Sequence, residues 1–380
     1  WFQIVPSSGK GGSDSVCKIK FTENGSGKER HLTLHILSMD VSKKLLFAQK
    51  TLTDDGPQDR PDDDEIDDDT DDNTGSDNTG NDGTDDNTGD DNVTPPAASG
   101  QSGKYGWYEL PVINYTQSGS YMIDSNDSDL YYAHHMCAGN EKGPGGKKAR
   151  NYTVCYSAEH HCPVWVAAPR HTMYQSGASR TDAYGKDPSI PSNIQYNSKD
   201  TGGGCNKGHM LGSAERLSST ATNKQVFYYT NIAPQYSSTF NTGGGGWNIL
   251  EDWVDGQVCS DTLYVVIGAY FDKYTDKRGN TGNPKVISFG GRSDVSRPTM
   301  FYYILMRTKK GNSGKALSQC SKDEIKCAAF VRSHETPKGT KVSSQDLMSV
   351  SDLEKITGFT YFPNVPQAPK DSYKASEWGL

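Results

Sequence analysis

Apolar and polar positions alternate in short runs through residues 1–53, apolar residues almost vanish over 54–99, and long aromatic and β-branched runs follow from Tyr105. Val16–Phe21 and Arg30–Leu37 both alternate around the polar turn Glu23–Gly27, a pattern that predicts two strands joined as a hairpin. Residues 54–99 repeat Asp-Asn-Thr-Gly, and a segment so poor in apolar side chains cannot bury a core, so an extended linker is expected. Beyond it, Tyr152–Tyr156 and Pro163–Ala167 flank the short turn Glu159–His161 and predict a second hairpin. Val226–Thr230, Thr262–Ile267, Met300–Leu305 and Lys326–Val331 read as further strands. Their apolar character is too continuous for strands with one wet face, so a mixed, partly buried sheet is expected. Helical periodicity is confined to Trp247–Val254 and to a short helix opened by Ser351-Asp352-Leu353-Glu354. Trp247, Leu250 and Trp253 read as the core-facing side of the first helix.

The net charge of -8 hides two opposite parts. Residues 54–99 hold 17 Asp and one Glu against Arg60 alone, which leaves about +9 for everything else. The folded part is therefore basic, a balance that suits a polyanionic ligand. The Asp and Asn oxygens of the acidic segment raise calcium binding as an alternative, but no D-x-[DN]-x-[DN]-G loop closed by a glutamate is present. No run of 18 apolar residues occurs, so no helical membrane span is expected. Eight cysteines at 17, 137, 155, 162, 205, 259, 320 and 327 include two C-x6-C pairs and no zinc knuckle. Disulfides of open connectivity, and with the Gly-, Asn- and Tyr-rich loops a secreted, cell-surface or periplasmic location, are the expectation. No leader stands at Trp1, so any signal peptide lies outside this chain.

The chemistry concentrates downstream of the glycine run Gly202-Gly203-Gly204. Cys205-Asn206-Lys207-Gly208-His209 places a cation beside a histidine, and Asn241 and Glu251 follow as an amide and a carboxylate. Phosphodiester hydrolysis needs a base for water, a divalent ion for the charge that develops on phosphorus, and a fixed cation for the phosphate. The pairs His134-His135 and His160-His161 are poor chelators, because neighbours on a strand face opposite ways.

Three ordered motifs, Asn206-Lys207-Gly208-His209, Thr230-Asn231-Ile232-Ala233-Pro234-Gln235 and Asn241 through Trp247-Asn248-Ile249-Leu250-Glu251, resemble those of the DNA/RNA non-specific endonucleases, the ββα-metal nucleases. The resemblance covers roughly residues 105–365. It implies an α+β fold with a central mixed, mainly antiparallel sheet, and a metal-dependent endonuclease acting on DNA and RNA. Carried over residue by residue, it makes His209 the general base, Asn241 the direct metal ligand and Glu251 an outer-shell group orienting metal-bound water. Lys207 becomes the cation beside the phosphate, Asn231 a brace for the histidine loop or a metal water, and Arg180 a second phosphate-holding cation. Magnesium is the expected ion, with manganese or calcium as substitutes.

Trp1, Pro6–Gly9, Glu23-Asn24 and Lys28–Arg30 resemble the second half of a BACON-type immunoglobulin-like module, which implies a small all-β sandwich fragment before the nuclease fold. The domain reading is thus 1–53 module, 54–99 acidic linker and 100–380 endonuclease domain. The module could serve as a spacer or contact a cell surface or its glycans, and either a monomer or a dimer is compatible. Two departures stand out. The family usually has arginine where Lys207 stands, and Gly243–Gly246 lengthen the Asn241-to-Glu251 spacing by two. Two alternatives follow: an adhesin or glycan-binding protein with an inactive nuclease-like domain, or a phosphodiesterase with a substrate other than nucleic acid.

Overall fold

The structure is a computed structural model that describes residues 2–5, 18–21, 30–37, 42–49, 107–143, 146–241 and 243–380. The chain divides into two compact units, Trp1–Asn87 and Thr88–Leu380. In the first, β1 (Phe2–Val5) pairs antiparallel with β2 (Lys18–Phe21), and β3 (Arg30–Leu37) pairs with β4 (Ser42–Gln49). Strands form at Lys18–Phe21 and Arg30–Leu37, but not as one hairpin: each takes a different partner. The acidic segment and its calcium alternative lie outside the described residues.

The second unit runs in chain order through β5 (Tyr115–Ser118), β6 (Tyr121–Asp124), β7 (Leu130–Met136), β8 (Arg150–Ser157), β9 (Cys162–Arg170), β10 (Cys205–His209), α1 (Thr220–Gln225), β11 (Ile232–Tyr236) and α2 (Gly246–Asp255). It continues with β12 (Leu263–Tyr270), β13 (Tyr274–Thr275), β14 (Thr281–Gly282), β15 (Lys285–Phe289), β16 (Arg292–Arg297), β17 (Met300–Thr308), β18 (Ile325–Ser333), β19 (Leu347–Met348) and α3 (Val350–Thr357). A nine-stranded sheet in the order β19-β18-β17-β12-β9-β8-β7-β6-β5 forms its centre, and its pairings are antiparallel throughout.

The central strands are apolar at successive positions because both sheet faces are covered. Val265, Ile267, Phe301, Tyr303 and Phe330 point into one core, shared with Trp247, Leu250 and Val254 of α2. Tyr264, Val266, Tyr302, Ile304 and Ala329 point into the other, shared with Val350 and Leu353 of α3. Period-2 alternation thus survives in which core a residue enters, even though polarity does not alternate. Fully burying Trp247, Leu250 and Val254 contributes about 1.5–3 kcal/mol for each aliphatic or aromatic side chain. Trp247 stacks on Tyr303 at 5.0 Å between ring centroids.

Three expectations need correction here. Val226–Thr230 is no strand: Ser219 caps α1 through a bond from Thr222 N, Val226 closes that helix, and Tyr229–Asn231 form a 3-10 turn. The run is apolar because Val226 and Phe227 enter one core and Tyr229 another, so its continuity reports burial rather than strand pairing. The cap of α3 is Ser349, whose hydroxyl accepts from Asp352 N, rather than Ser351. Among the described residues seven cysteines are free thiols and none is bridged. Cys155 lies in one core and Cys162 in the other, on opposite faces of the sheet, so the C-x6-C spacing cannot close a bond there.

Candidate active site

On the α2 side of the sheet, β10 and β11 pair antiparallel in the register His209↔Ile232, Asn206↔Gln235, and the chain then turns through Ser237–Asn241 into α2. Two strands followed by a helix carry the motif residues. His209 closes β10 rather than lying in a loop. The preceding glycines do form the turn: Gly203 and Gly204 have φ of 60° and 73°, a region glycine enters without a Cβ penalty.

The two faces of β10 hold different chemistry. His209 packs edge-on to Phe227 at 4.8 Å and lies 5.9 Å from Tyr184. Lys207 places its ammonium 5.0 Å from the centre of the Tyr184 ring and donates to Lys199 O at 3.0 Å. Arg180 lies 4.8 Å over Phe227, donates to Tyr184 Oη at 3.2 Å, and is held by Asp182 at 2.7 Å. Tyr184 and Phe227 therefore gather Arg180, Lys207 and His209 into one cluster. Burial, and then the nearby Arg180, hold the imidazole well below its usual range, to about 3, with Asp182 opposing and Lys207 adding to the shift. Among the described residues its buried Nε2 has no hydrogen-bond partner.

Asn206 and Gly208 occupy the other face. A Cβ on Gly208 would lie 2.1 Å from Gln235 Cδ, so glycine is required there for the Gln235 side chain to cross the strand. Gln235 Oε1 accepts from Asn241 Nδ2 at 2.6 Å, and Asn206 Nδ2 reaches Asn241 Oδ1 at 3.4 Å. Gln235 thus fixes the orientation of the Asn241 amide. Among the described residues its own Nε2 is buried without a partner, as is His209 Nε2 on the opposite face of β10, and each of these nitrogens needs water or a ligand.

Asn231 is a brace. Its Oδ1 accepts from Leu211 N at 3.0 Å, and its Nδ2 donates to Leu211 O at 2.9 Å and Val226 O at 2.7 Å. With both amide ends committed and the side chain fully buried, it holds the chain just past His209. Glu251 stands apart: no hydrogen bond joins it to His209 or Asn241 among the described residues. Burial first, then Glu215 and Asp255, push its carboxyl up to about 8. Arg170 is shared by those two neighbours, at 3.0 Å from Glu215 and 2.5 Å from Asp255.

Sequence reasoning gave no role to Gln235, Tyr184 or His334. Gln235 was visible as the last residue of its motif. His334 accepts from Tyr236 N through Nε2 at 2.9 Å and donates from Nδ1 to Pro298 O at 2.7 Å, which pins the end of β11; no local signal marks it.

The sequence profile of the DNA/RNA non-specific endonucleases matches residues 135–368. The chain belongs to that family. This member of the nuclease family is 28% identical over 230 residues to a protein of Danio rerio named "Nuclease EXOG, mitochondrial", covering 59% of this chain and 62% of that one. The Homo sapiens protein of the same name is 26% identical over 229 residues, with 58% of each chain covered. A protein of Nostoc sp. named "Nuclease" is 24% identical over 246 residues, covering 61% of this chain and 81% of its own. The chain thus spans about three fifths of the length of the EXOG relatives. A solved structure of the EndoG/EndoGI complex aligns over 72% of this chain and 95% of its own, at a TM-score of 0.47 and 20% identity.

Proposed function

We propose that this chain is an exported, divalent-metal-dependent endonuclease that hydrolyses phosphodiester bonds of DNA and RNA without sequence preference. The observation that carries the reading is His209: a neutral imidazole whose Nε2 has no partner among the described residues, with Arg180 and Lys207 gathered beside it at the end of the first strand of the ββα unit. EXOG-named relatives and the family profile support it.

The residues present fit a hard cation held by few protein ligands. Among the described residues no group of three or more His, Cys, Asp or Glu could hold a metal, so a hydrated ion on one amide oxygen is the arrangement to expect. Asn241 suits it, because Gln235 engages the Nδ2 end and, among the described residues, leaves Oδ1 with only the long contact from Asn206. Magnesium, manganese or calcium bound there would neutralise charge developing on the phosphate and the leaving oxygen.

The protein's own groups do the rest. His209 Nε2 accepts a proton from the attacking water, a contribution of roughly 10²–10⁴-fold. Burial and Arg180 hold the ring neutral, which leaves one ring nitrogen with a lone pair to accept the proton. Arg180 can bind phosphate oxygens through two parallel N–H groups, whereas Lys207 acts as a point charge. Contacts made to phosphates rather than base edges leave the cut sequence-blind. Glu251 would orient water beyond the ion. The export reading rests on the Asn-, Gly- and Tyr-rich composition; the free cysteines lend it no support.

Supercoiled plasmid incubated with magnesium, with and without EDTA, tests the proposal. Nicking and linearisation in magnesium alone, lost in His209→Ala with an unchanged circular dichroism spectrum, is the expected result. Intact plasmid with every divalent ion, or full activity in the His209 variant, overturns it.

A further inference from the structure

The two residues by which this chain exceeds the family spacing sit in the glycine run before α2, and that run is knitted into the protein. Gly243 and Gly244 have φ of 62° and 80°, which a side chain would strain. Gly244 N donates to Asn248 Oδ1 at 3.0 Å, and Gly244 O accepts from Gly339 N at 2.9 Å. Gly245 and Gly246 approach their neighbours too closely for any larger residue: an added Cβ would lie 2.4 Å from Phe240 O at the first and 2.7 Å from Thr336 O at the second. The buried Arg332 guanidinium bonds both Gly246 O and Thr340 O, joining the glycine run to the turn that follows β18.

The tip of that turn is Pro337-Lys338-Gly339, exposed on all three residues. Its docking carries the Lys338 ammonium to 3.8 Å from where a Cβ on Gly243 would stand, two residues from Asn241. Arg180 and Lys207 lie on the His209 side of the hairpin, so Lys338 supplies positive charge on the Asn241 side. A nucleic-acid strand presents a regular row of phosphates, and a flexible ammonium suits such a row because it asks for no fixed geometry.

We propose that Lys338 is a substrate-binding residue that contacts a backbone phosphate next to the bond being cut, presented by the glycine insertion. The inference rests on the nuclease reading above. It also joins the two departures from the family pattern: an added cation on one side offsets the lysine that stands in place of arginine on the other.

The test uses the full chain and a fluorescein-labelled DNA duplex. Anisotropy in EDTA reads binding without cleavage, and initial rates in magnesium read turnover. Lys338→Ala is expected to weaken binding about three- to tenfold and to reduce the slope of log affinity against log salt by about 0.9, the loss of one phosphate contact. KM should rise by a similar factor with kcat within about twofold, since the contact is made equally in ground and transition states. Lys338→Arg should retain wild-type binding, and Lys355→Ala, on α3 across the sheet, should change nothing. Unaltered affinity and salt slope in Lys338→Ala overturn the proposal even where the wild type degrades DNA, so the nuclease reading then stands alone. If the wild type cleaves nothing, the nuclease reading falls, and the anisotropy still decides Lys338: duplex binding that is absent, or independent of this lysine, overturns it.

Discussion

Gly208→Ala is the most direct probe of how the fold supports the proposed metal ligand. The new Cβ would stand 2.1 Å from Gln235 Cδ and 2.4 Å from its Oε1, inside any van der Waals contact, and Gln235 is buried. Gln235 must therefore swing away, which costs about 1–3 kcal/mol of overpacking strain. The displaced side chain also gives up its 2.6 Å bond from Asn241 Nδ2, a further loss of about 1 kcal/mol. For a domain of this size each kcal/mol lowers Tm by roughly 2–4 °C. The informative consequence is separate from stability. An Asn241 amide freed to rotate presents Oδ1 only part of the time, and loss of such a supporting bond typically weakens metal binding or activity about 10–100-fold. Magnesium titrations of plasmid cleavage read this as a raised half-saturation, while a thermal melt reads the strain. Gln235→Ala in the Gly208→Ala background distinguishes the two effects: it makes room for the methyl and should recover most of the Tm while leaving the magnesium midpoint high. If the double variant recovers both, or if Gly208→Ala alters Tm and leaves the midpoint at its wild-type value, then Gln235 does not orient Asn241 and the reasoning fails.

Two further outcomes follow from the buried histidines and the thiols. His209, with a folded-state pKa of about 3 against an unfolded value of about 6.5, binds fewer protons folded than unfolded between those limits. Its contribution is complete above about pH 6.5 and is lost as pH falls toward 3, so wild type should lose more Tm between pH 7 and pH 4 than His209→Asn does. Parallel Tm profiles for the two proteins would contradict that assignment. Because the seven described cysteines are unbridged, a reducing agent should leave the melting curve of the freshly purified protein unchanged, and a marked drop in Tm would show that disulfides form after all.

Strands that sit between two cores were legible in the sequence, and β8, β9, β12, β17 and β18 fall where the long apolar runs place them. The same signal failed at Val226–Thr230, because continuity of apolar residues measures burial and is silent on hydrogen-bond partners. Cysteine spacing failed for a related reason: it counts residues, whereas the pleat decides that Cys155 and Cys162 face apart. Within the site, the motifs marked the residues to which we assign the chemistry. The supporting contacts stayed hidden, since Gln235 meets Asn241 only where the turn through Ser237–Asn241 brings the chain back, and His334 reaches β11 from 98 residues away.

The hairpin register is what makes those scattered contacts act together. On β10 the odd positions Lys207 and His209 share one face with Arg180's aromatic cradle, and the even positions Asn206 and Gly208 share the other with Gln235 and Asn241. A slip of one residue against β11 would exchange the two faces, putting Gly208 at the position of His209 and Lys207 in the path of Gln235. The register is clamped at both ends by buried polar side chains. Asn231 ties the His209 end through Leu211, and His334 ties the opposite end through Tyr236 N. These clamps have unequal reach. Asn231 lies in the same motif as the strand it serves, while His334 opens the turn just after β18 and ties the end of that strand to the segment that ends in Asn241. The amide side of the site is therefore positioned by the end of β18, and the histidine side by the hairpin itself, so destabilising the β17–β18 pair should disturb the proposed metal ligand Asn241 before it disturbs the proposed base His209.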